Sequence, residues 1–164
     1  MITIRRAEEK DVPGMLAIYN DIILNTTAVW HNEPHSLQMR EEWLAVKKEQ
    51  GFPVFIAELE ERIIGFSTFG SFRPWPGYRF TVENSVYVAA SNRGSGVGRL
   101  LMTPLVEAAR AMQMHAIVAG IEASNEASIR LHQNFGFKEV AHFREIGYKF
   151  GRWLDLKFLQ LLLS

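Results

Sequence analysis

Three stretches of this sequence carry residue types at spacings that can do chemistry. The densest runs from Val86 to Leu101. It reads as a strand end at Val88, Ala89 and Ala90, then a turn with Arg93, Gly94, Ser95 and Gly96, then a helix opening at Val97, Gly98, Arg99, Leu100 and Leu101. A glycine-rich turn that feeds a helix leaves backbone N–H groups unpaired at the positive end of the helix dipole, and the missing side chains let a polyanion approach them. The expected ligand is a phosphate or pyrophosphate. A nucleotide P-loop needs Gly-Lys followed by Ser or Thr, whereas Gly98 is followed by Arg99 and Leu100. The dinucleotide fingerprint fails as well, because its third glycine falls on Arg99 or Leu101. Nucleotide hydrolysis and nicotinamide chemistry are therefore disfavoured.

The second stretch is Thr81 to Val88. Strand alternation puts Thr81, Glu83, Ser85 and Tyr87 on one face and Val82, Asn84, Val86 and Val88 on the other. A carboxylate thus lines up with hydroxyls just ahead of the phosphate turn. An amine nucleophile is mostly protonated at neutral pH and needs a proton acceptor, which makes Glu83 the candidate base; a solvated strand residue is its plainer reading. The third stretch is a helix capped by Asn125, with Ser128 one turn on and then His132. An imidazole titrates near neutrality, so His132 is a candidate acid or alternative base, against the reading of a packed, backbone-bonded histidine. Arg73-Pro74-Trp75-Pro76-Gly77-Tyr78-Arg79 cannot continue a strand, and its arginines and aromatics suit an ordered recognition loop or a surface loop with snorkelling arginines.

Other chemistries lack residues. His31-Asn32-Glu33-Pro34-His35 gathers two imidazoles and a carboxylate, yet Pro34 denies them helical ligand geometry, and no metal site is expected. With no cysteine and no G-x-S-x-G elbow, a covalent acyl-enzyme has no nucleophile to advocate it.

These groups need a frame. The 164 residues, 48% apolar and 22% charged, have the composition of one globular domain, spanning 1–164, and exclude disorder. Lys plus Arg (18) balance Asp plus Glu (18), so no overall field favours nucleic acid or an anionic membrane. No apolar run is long enough to span a bilayer and no secretory signal opens the chain, which makes the cytoplasm the expected compartment. Periodicity predicts a strand at 2–5, a helix capped by Asp11, a helix from Ser36 to Gly51, and strands at 54–59 and 62–72 turning at Glu60-Glu61. Strand 81–88, helix 97–112, strand 116–121, helix 126–135 and a terminal pair at 138–146 and 152–162 follow. The result is a mixed α/β domain without repeats or linkers.

Arg93-x-x-Gly96-x-Gly98 resembles the acyl-CoA pyrophosphate loop of the GCN5-related N-acetyltransferase superfamily. Asn125 to Phe137 resembles that superfamily's second CoA-contacting motif, and the order of elements matches it throughout. The chain is similar in particular to the phosphinothricin and methionine-sulfoximine acetyltransferases, through Thr81-Val82-Glu83-Asn84-Ser85-Val86-Tyr87-Val88, Leu131-His132 ahead of Phe135-Gly136-Phe137, and Gly151-Arg152-Trp153-Leu154-Asp155-Leu156. The resemblance implies a mostly antiparallel twisted sheet flanked by helices, acetyl-CoA as donor, and the α-amino group of a small amino-acid analogue as acceptor. It implies pyrophosphate on the amides from Arg93 to Leu101, pantetheine along Val88 to Ala90 and beside Asn125 and Ser128, and the thioester at Ser85, Val86 and Tyr87. The acceptor would meet Arg73 as an anion partner, with Trp75, Pro76, Gly77 and Tyr78 as walls. Many superfamily members carry tyrosine where this chain has His132, which leaves the acid role open.

The competing readings are the same fold acting on a protein N-terminus, a polyamine or an aminoglycoside, or an acyl-CoA-binding regulatory module without catalysis. The resemblance also implies a homodimer. The terminal run Trp153, Leu154, Leu156, Phe158, Leu159, Leu161, Leu162 and Leu163 is apolar on both faces near its end, which predicts a partner subunit covering it.

Overall fold

In the computed structural model, which describes residues 1–164, seven strands form one sheet in the order β1-β2-β3-β4-β5-β7-β6. They are β1 (Thr3–Arg6), β2 (Val54–Leu59), β3 (Arg62–Ser71), β4 (Thr81–Val88), β5 (Ala116–Glu122), β6 (Lys138–Lys149) and β7 (Arg152–Leu162). The helices are α1 (Val12–Asn25), α2 (Leu37–Gln50), α3 (Val97–Ala111) and α4 (Glu126–Asn134). This is the mixed α/β arrangement expected, with every strand pair antiparallel except β4–β5.

Local chemistry explains most boundaries. Ser36 accepts from the Met39 amide to start α2, and Gly51, at φ 76°, ends it. Glu60 and Glu61 make the β2–β3 turn at φ 50° and 60°. Two left-handed residues match the strand twist, and having no glycine there costs roughly 1–2 kcal/mol per residue. Asp11 departs from its expected capping role. Its carboxylate takes both guanidinium nitrogens of Arg5 at 2.7 and 2.8 Å and the Glu8 amide at 2.8 Å, and α1 has no side-chain cap. Asp11 is itself helical, at φ −86° and ψ −12°, as the last residue of a short 3-10 turn (Glu9–Asp11), so its carboxylate turns back to the Glu8 amide and Arg5 and not forward to α1. Burial pushes the Asp11 pKa up, but Arg5 and the Glu8 amide outweigh it and leave it below the ordinary value.

The sheet divides two cores. α3 packs on one face against residues such as Phe69, Val82, Ile117 and Leu159, while α1 and α2 cover the other with Met15, Ile23, Leu44 and Phe66. β4 serves both: Val82, Val86 and Val88 face α3, and Tyr87 faces α1, as alternation requires.

β4 and β5 pair only from Thr81↔Ala116 to Glu83↔Val118. Beyond that point β4 continues along β3 as far as Val88↔Gly65, and β5 continues along β7 as far as Glu122↔Leu156. Each strand keeps its outer partner and loses its inner one, so a wedge opens with a free backbone edge on either side.

The terminal run divides. β7 lies inside the sheet between β5 and β6, and Leu154, Leu159 and Leu161 are buried in its own chain. Leu156, Phe158 and Leu163 are half-buried, while Trp153 and Leu162 stay exposed, as do Val140, Phe143, Ile146 and Tyr148 on the edge strand β6.

Lys149 fastens the α1–α2 loop to β6. Its buried ammonium donates to Ile23 O at 2.7 Å, Thr26 O at 2.8 Å and Val29 O at 2.6 Å, which satisfies carbonyls at the negative end of α1. Gly147 nearby leaves the space that the Trp30 ring fills. Lys149→Met strands those carbonyls and is expected to lower the unfolding free energy by about 2–4 kcal/mol in a denaturant titration. An unchanged midpoint and slope would mean the strap holds nothing.

Candidate active site in the β4–β5 wedge

Three cavities share Val86 and run along the free edge of β4. The outer one, about 470 Å³, lies between the glycine turn and α4; the middle one, about 290 Å³, lies under the end of α1; the inner one, about 60 Å³, lies between the diverging strands. A larger groove of about 790 Å³ runs beside α1, its rim built from the charges of Arg5, Asp11 and Glu58; it reaches Ala89 and Ala90 but none of the residues from Arg93 to Gly98.

The outer cavity has the features of an anion cradle. Gly94 and Gly96 take φ of 77° and 87°, and a Cβ on either would meet nothing within 4 Å. Gly96 stands at the N-cap of α3 without a side chain to engage the first amides. Gly98 is small for another reason: a Cβ there would sit 3.0 Å from Leu131 of α4. Arg93 donates from Nε to Val88 O at 3.2 Å, which ties the turn to the strand, and Ser95 donates to Asn92 O. The cradle is narrower than expected. Leu100 N already donates to Gly96 O at 3.2 Å, and the Leu101 side chain is fully buried in the α3 core, so neither faces the cavity. At the strand end, Ala89 N is spent on Ile64 O at 2.8 Å, and Ala90 opens the short 3-10 turn that leads into the glycines.

Glu83 is the last β4 residue paired to β5, at the vertex of the wedge. Burial lifts its pKa above the ordinary carboxylate value, with the Arg73 charge pulling the other way. Ser85 and Tyr87 follow on the same face and line the inner cavity. The Tyr87 ring packs 5.5 Å from Tyr19 and 5.1 Å from Phe66, and burial pushes its hydroxyl up to about 12, so it stays protonated.

His132 reaches the wedge from the opposite side. Its Nδ1 lies 2.7 Å from Ser128 O, and a carbonyl only accepts, so Nδ1 carries the proton. Nε2 then accepts from Asn84 Nδ2 at 3.0 Å. Burial lowers the His132 pKa, outweighing the Ser128 bond. The imidazole is thus neutral and held at both nitrogens. Asn125 caps α4 by accepting from Ser128 N at 3.2 Å, and both residues line the inner cavity.

The 73–79 loop is only partly drawn in. The Arg73 guanidinium lies 4.4 Å above the Phe72 ring, Tyr78 stacks on Phe72 at 5.6 Å, and Phe72 meets Phe158 at 6.0 Å, close to Glu83. Trp75 is 62% exposed, and Pro76 and Gly77 form an open 3-10 turn beside it, so within one chain they wall no cavity. Sequence reasoning missed Glu122 and the segment from Thr26 to Ala28, which line the middle cavity. Glu122 accepts from Ser124 N at 2.8 Å and from the Ser124 hydroxyl. Counting alternation along β5 from Val118 would have placed it on the Glu83 face.

Comparison with known proteins agrees with this geometry. The acetyltransferase (GNAT) domain family matches residues 4–157. The L-methionine sulfoximine/L-methionine sulfone acetyltransferase of Pseudomonas aeruginosa is 46% identical over 163 residues, spanning 99% of this chain and 95% of that protein. The phosphinothricin N-acetyltransferase of Streptomyces coelicolor is 36% identical over 158 residues, spanning 94% and 92%. An acetyltransferase of Salmonella typhimurium, solved with its cofactor acetyl-CoA, superimposes with a TM-score of 0.98 at 41% identity over 100% of this chain and 95% of that one. The residues here fit that group, because an open glycine cradle at a helix N-terminus suits a pyrophosphate and the free edge of β4 suits an extended amide arm. The chain belongs to the GCN5-related N-acetyltransferase family and is an acetyl-CoA-dependent acetyltransferase.

Proposed function

We propose that this enzyme acetylates the α-amino group of a small amino-acid analogue of the methionine sulfoximine, methionine sulfone or phosphinothricin type, by direct transfer with Glu83 as the proton acceptor. The observation that carries this reading is the half-buried Glu83 carboxylate at the vertex of the wedge, two residues from Ser85 on the same strand face and at the start of the free edge of β4. The named substrates of two relatives supply the acceptor class.

When bound, acetyl-CoA supplies an activated thioester carbonyl. Amides from Gly94 to Arg99 hold its pyrophosphate, and Val86 to Val88, Asn125 and Ser128 line the path of the pantetheine arm. Glu83 takes the proton from the acceptor's ammonium, directly or through a water. The amine nitrogen would then bond the carbonyl carbon while the carbon–sulfur bond breaks and CoA leaves as thiolate, and the second proton on the new amide nitrogen would pass to solvent or to that thiolate. Arg73 faces the acceptor's α-carboxylate, with Tyr78 packed beside it on Phe72. We assign His132 to positioning, since in its resting tautomer Nε2 has no proton to give.

A second copy completes the assembly in this reading. The edge strand β6 exposes Val140, Ile146 and Tyr148, with Phe150, Trp153 and Leu162 nearby, and a long apolar edge is a liability until covered. Leu161, only 8% exposed and part of the α3 core, does not belong to that surface. Trp153→Asp is expected to leave a folded monomer in sedimentation, while a wild-type chain running as an active 18.7 kDa species would contradict the dimer.

The donor site is tested by Gly96→Glu, which sets a negative side chain in the open cradle. Calorimetry is expected to show loss of acetyl-CoA binding in a folded protein, and unchanged affinity would remove the pyrophosphate assignment. The base is tested by pH. Because burial raises the Glu83 pKa, the acid limb of kcat/KM should lie above the ordinary glutamate value of about 4.3. Glu83→Gln should abolish that limb and lower kcat/KM by ~10²-fold, less at high pH where the amine is already neutral. Assayed on methionine sulfoximine, methionine sulfone, phosphinothricin, an alanyl peptide and a polyamine, the wild type should favour the first three. Preference for the peptide or polyamine would move the assignment to another amine.

A further inference from the structure

Gly120 lies on β5 just past the last pair with β4. Since Glu83 pairs with Val118, the residues Val118, Gly120 and Glu122 share the face of Glu83. A Cβ at Gly120 would stand 3.0 Å from Glu83 Oε2 and 3.2 Å from the Phe158 ring. Its backbone does not require glycine, for it is absent from the left-handed positions at Gly51, Gly94, Gly96, Gly136 and Gly151. A side chain here would crowd both the carboxylate lying across it and the Phe158 ring.

The surroundings are built to the same end. Across β3, Glu83 faces Gly70, where a Cβ would stand 2.9 Å from Lys47 Nζ, itself donating to Phe69 O at 2.8 Å. With no side chain at 70 or 120, the Glu83 side chain has glycine on both neighbouring strands and can lie sideways over β5. Phe158, the β7 partner of Gly120, closes the far side, its ring 6.0 Å from Phe72 and 5.6 Å from Phe143. Gly120 lines the inner cavity with Ser85 and Tyr87, so the space above it opens on the reacting groups.

We propose that Gly120 is a positioning residue for the transfer: its missing side chain, with the Phe158 ring edge beside it, is the seat that holds the Glu83 carboxylate low over β5 and facing the acceptor's amine. This rests on Glu83 being the base, and the test separates the two claims. Other charged or titratable groups on this face are Arg73 after β3, Lys47 and Arg40 of α2, Tyr19 of α1, Tyr87 of β4 and Glu122 of β5; none is among the atoms nearest a new Cβ at 120.

The experiment is a double-mutant cycle on the full-length enzyme, with Gly120→Ala, Glu83→Gln and the pair, read as kcat/KM against pH with acetyl-CoA affinity measured alongside. Gly120→Ala is expected to bind acetyl-CoA as the wild type does, to lose ~10-fold or more in kcat/KM, and to move the acid limb; in the Glu83→Gln background it should cost less than ~2-fold. Phe158→Leu keeps the glycine and opens the wall, and should shift the acid limb toward the ordinary carboxylate range while the protein stays folded. It keeps the seat testable if Gly120→Ala fails to fold. A wild-type rate and pH profile in Gly120→Ala, an equal loss in both backgrounds, or an unmoved limb in Phe158→Leu overturns the seat. A wild-type rate in Glu83→Gln instead overturns the base.

Discussion

The parting of β4 from β5 is the constraint on which the rest of the structure depends. Three residue pairs join the strands, and each then follows a different outer partner, β3 for one and β7 for the other. A sheet normally pays no penalty of unpaired edges in its interior; this one leaves two, which water or a ligand must satisfy. That interior edge is also where β4 hands the chain to the glycine turn, so the free strand edge and the free helix amides are consecutive in sequence and adjacent in space. An extended amide arm ending in a pyrophosphate matches both.

A wedge through the middle of a sheet needs stiff walls. The two cores, one under α3 and one under α1 and α2, brace the arms from opposite faces. The Asn84–His132 pair then ties β4 to α4 across the opening, at the expense of a buried Asn84 Oδ1 with no partner. Arg40 is another buried polar group with unpartnered nitrogens, its guanidinium held 4.3 Å over Tyr19 and 3.9 Å over Trp43 in place of a counter-ion. Glu83 carries a related cost. A carboxylate whose folded pKa is raised binds its proton more tightly than in the unfolded chain, so its contribution grows more favourable as pH falls through the folded value. At neutral pH the ionised Glu83 opposes folding, and the packed walls offset it.

Much of this was legible in the sequence because it is written locally. Ser36 and Gly51 bracket α2, alternation sorts β4 into its two faces, and the glycine turn stands out from Arg93 to Gly98. What was hidden depends on contacts distant in the chain. Asp11 looked like a cap because its spacing does not show that Arg5, held from the far side by Glu58 of β2, turns onto its carboxylate. The leucines of β7 looked like an interface because the order of strands, which inserts β7 between β5 and β6, is not a property of any segment. Gly120 carried no signal for the same reason, since its meaning lies in Glu83 and Phe158, which come from other strands.

The wedge holds a half-buried carboxylate and a locked neutral imidazole, and that asymmetry suits the proposed reaction. An ammonium acceptor cannot attack until its nitrogen lone pair is freed, so a base improves the step at neutral pH. A thiol with a pKa near about 8.5 is a competent leaving group as its anion, and gains little from an acid in the transition state. Where superfamily members carry tyrosine, this chain can therefore afford His132 with its single proton committed to Ser128 O and its lone pair to Asn84. The position is then free to serve geometry: the Asn84–His132 bond ties α4 to β4 across the cleft in which, on the proposed reading, Glu83 meets the amine.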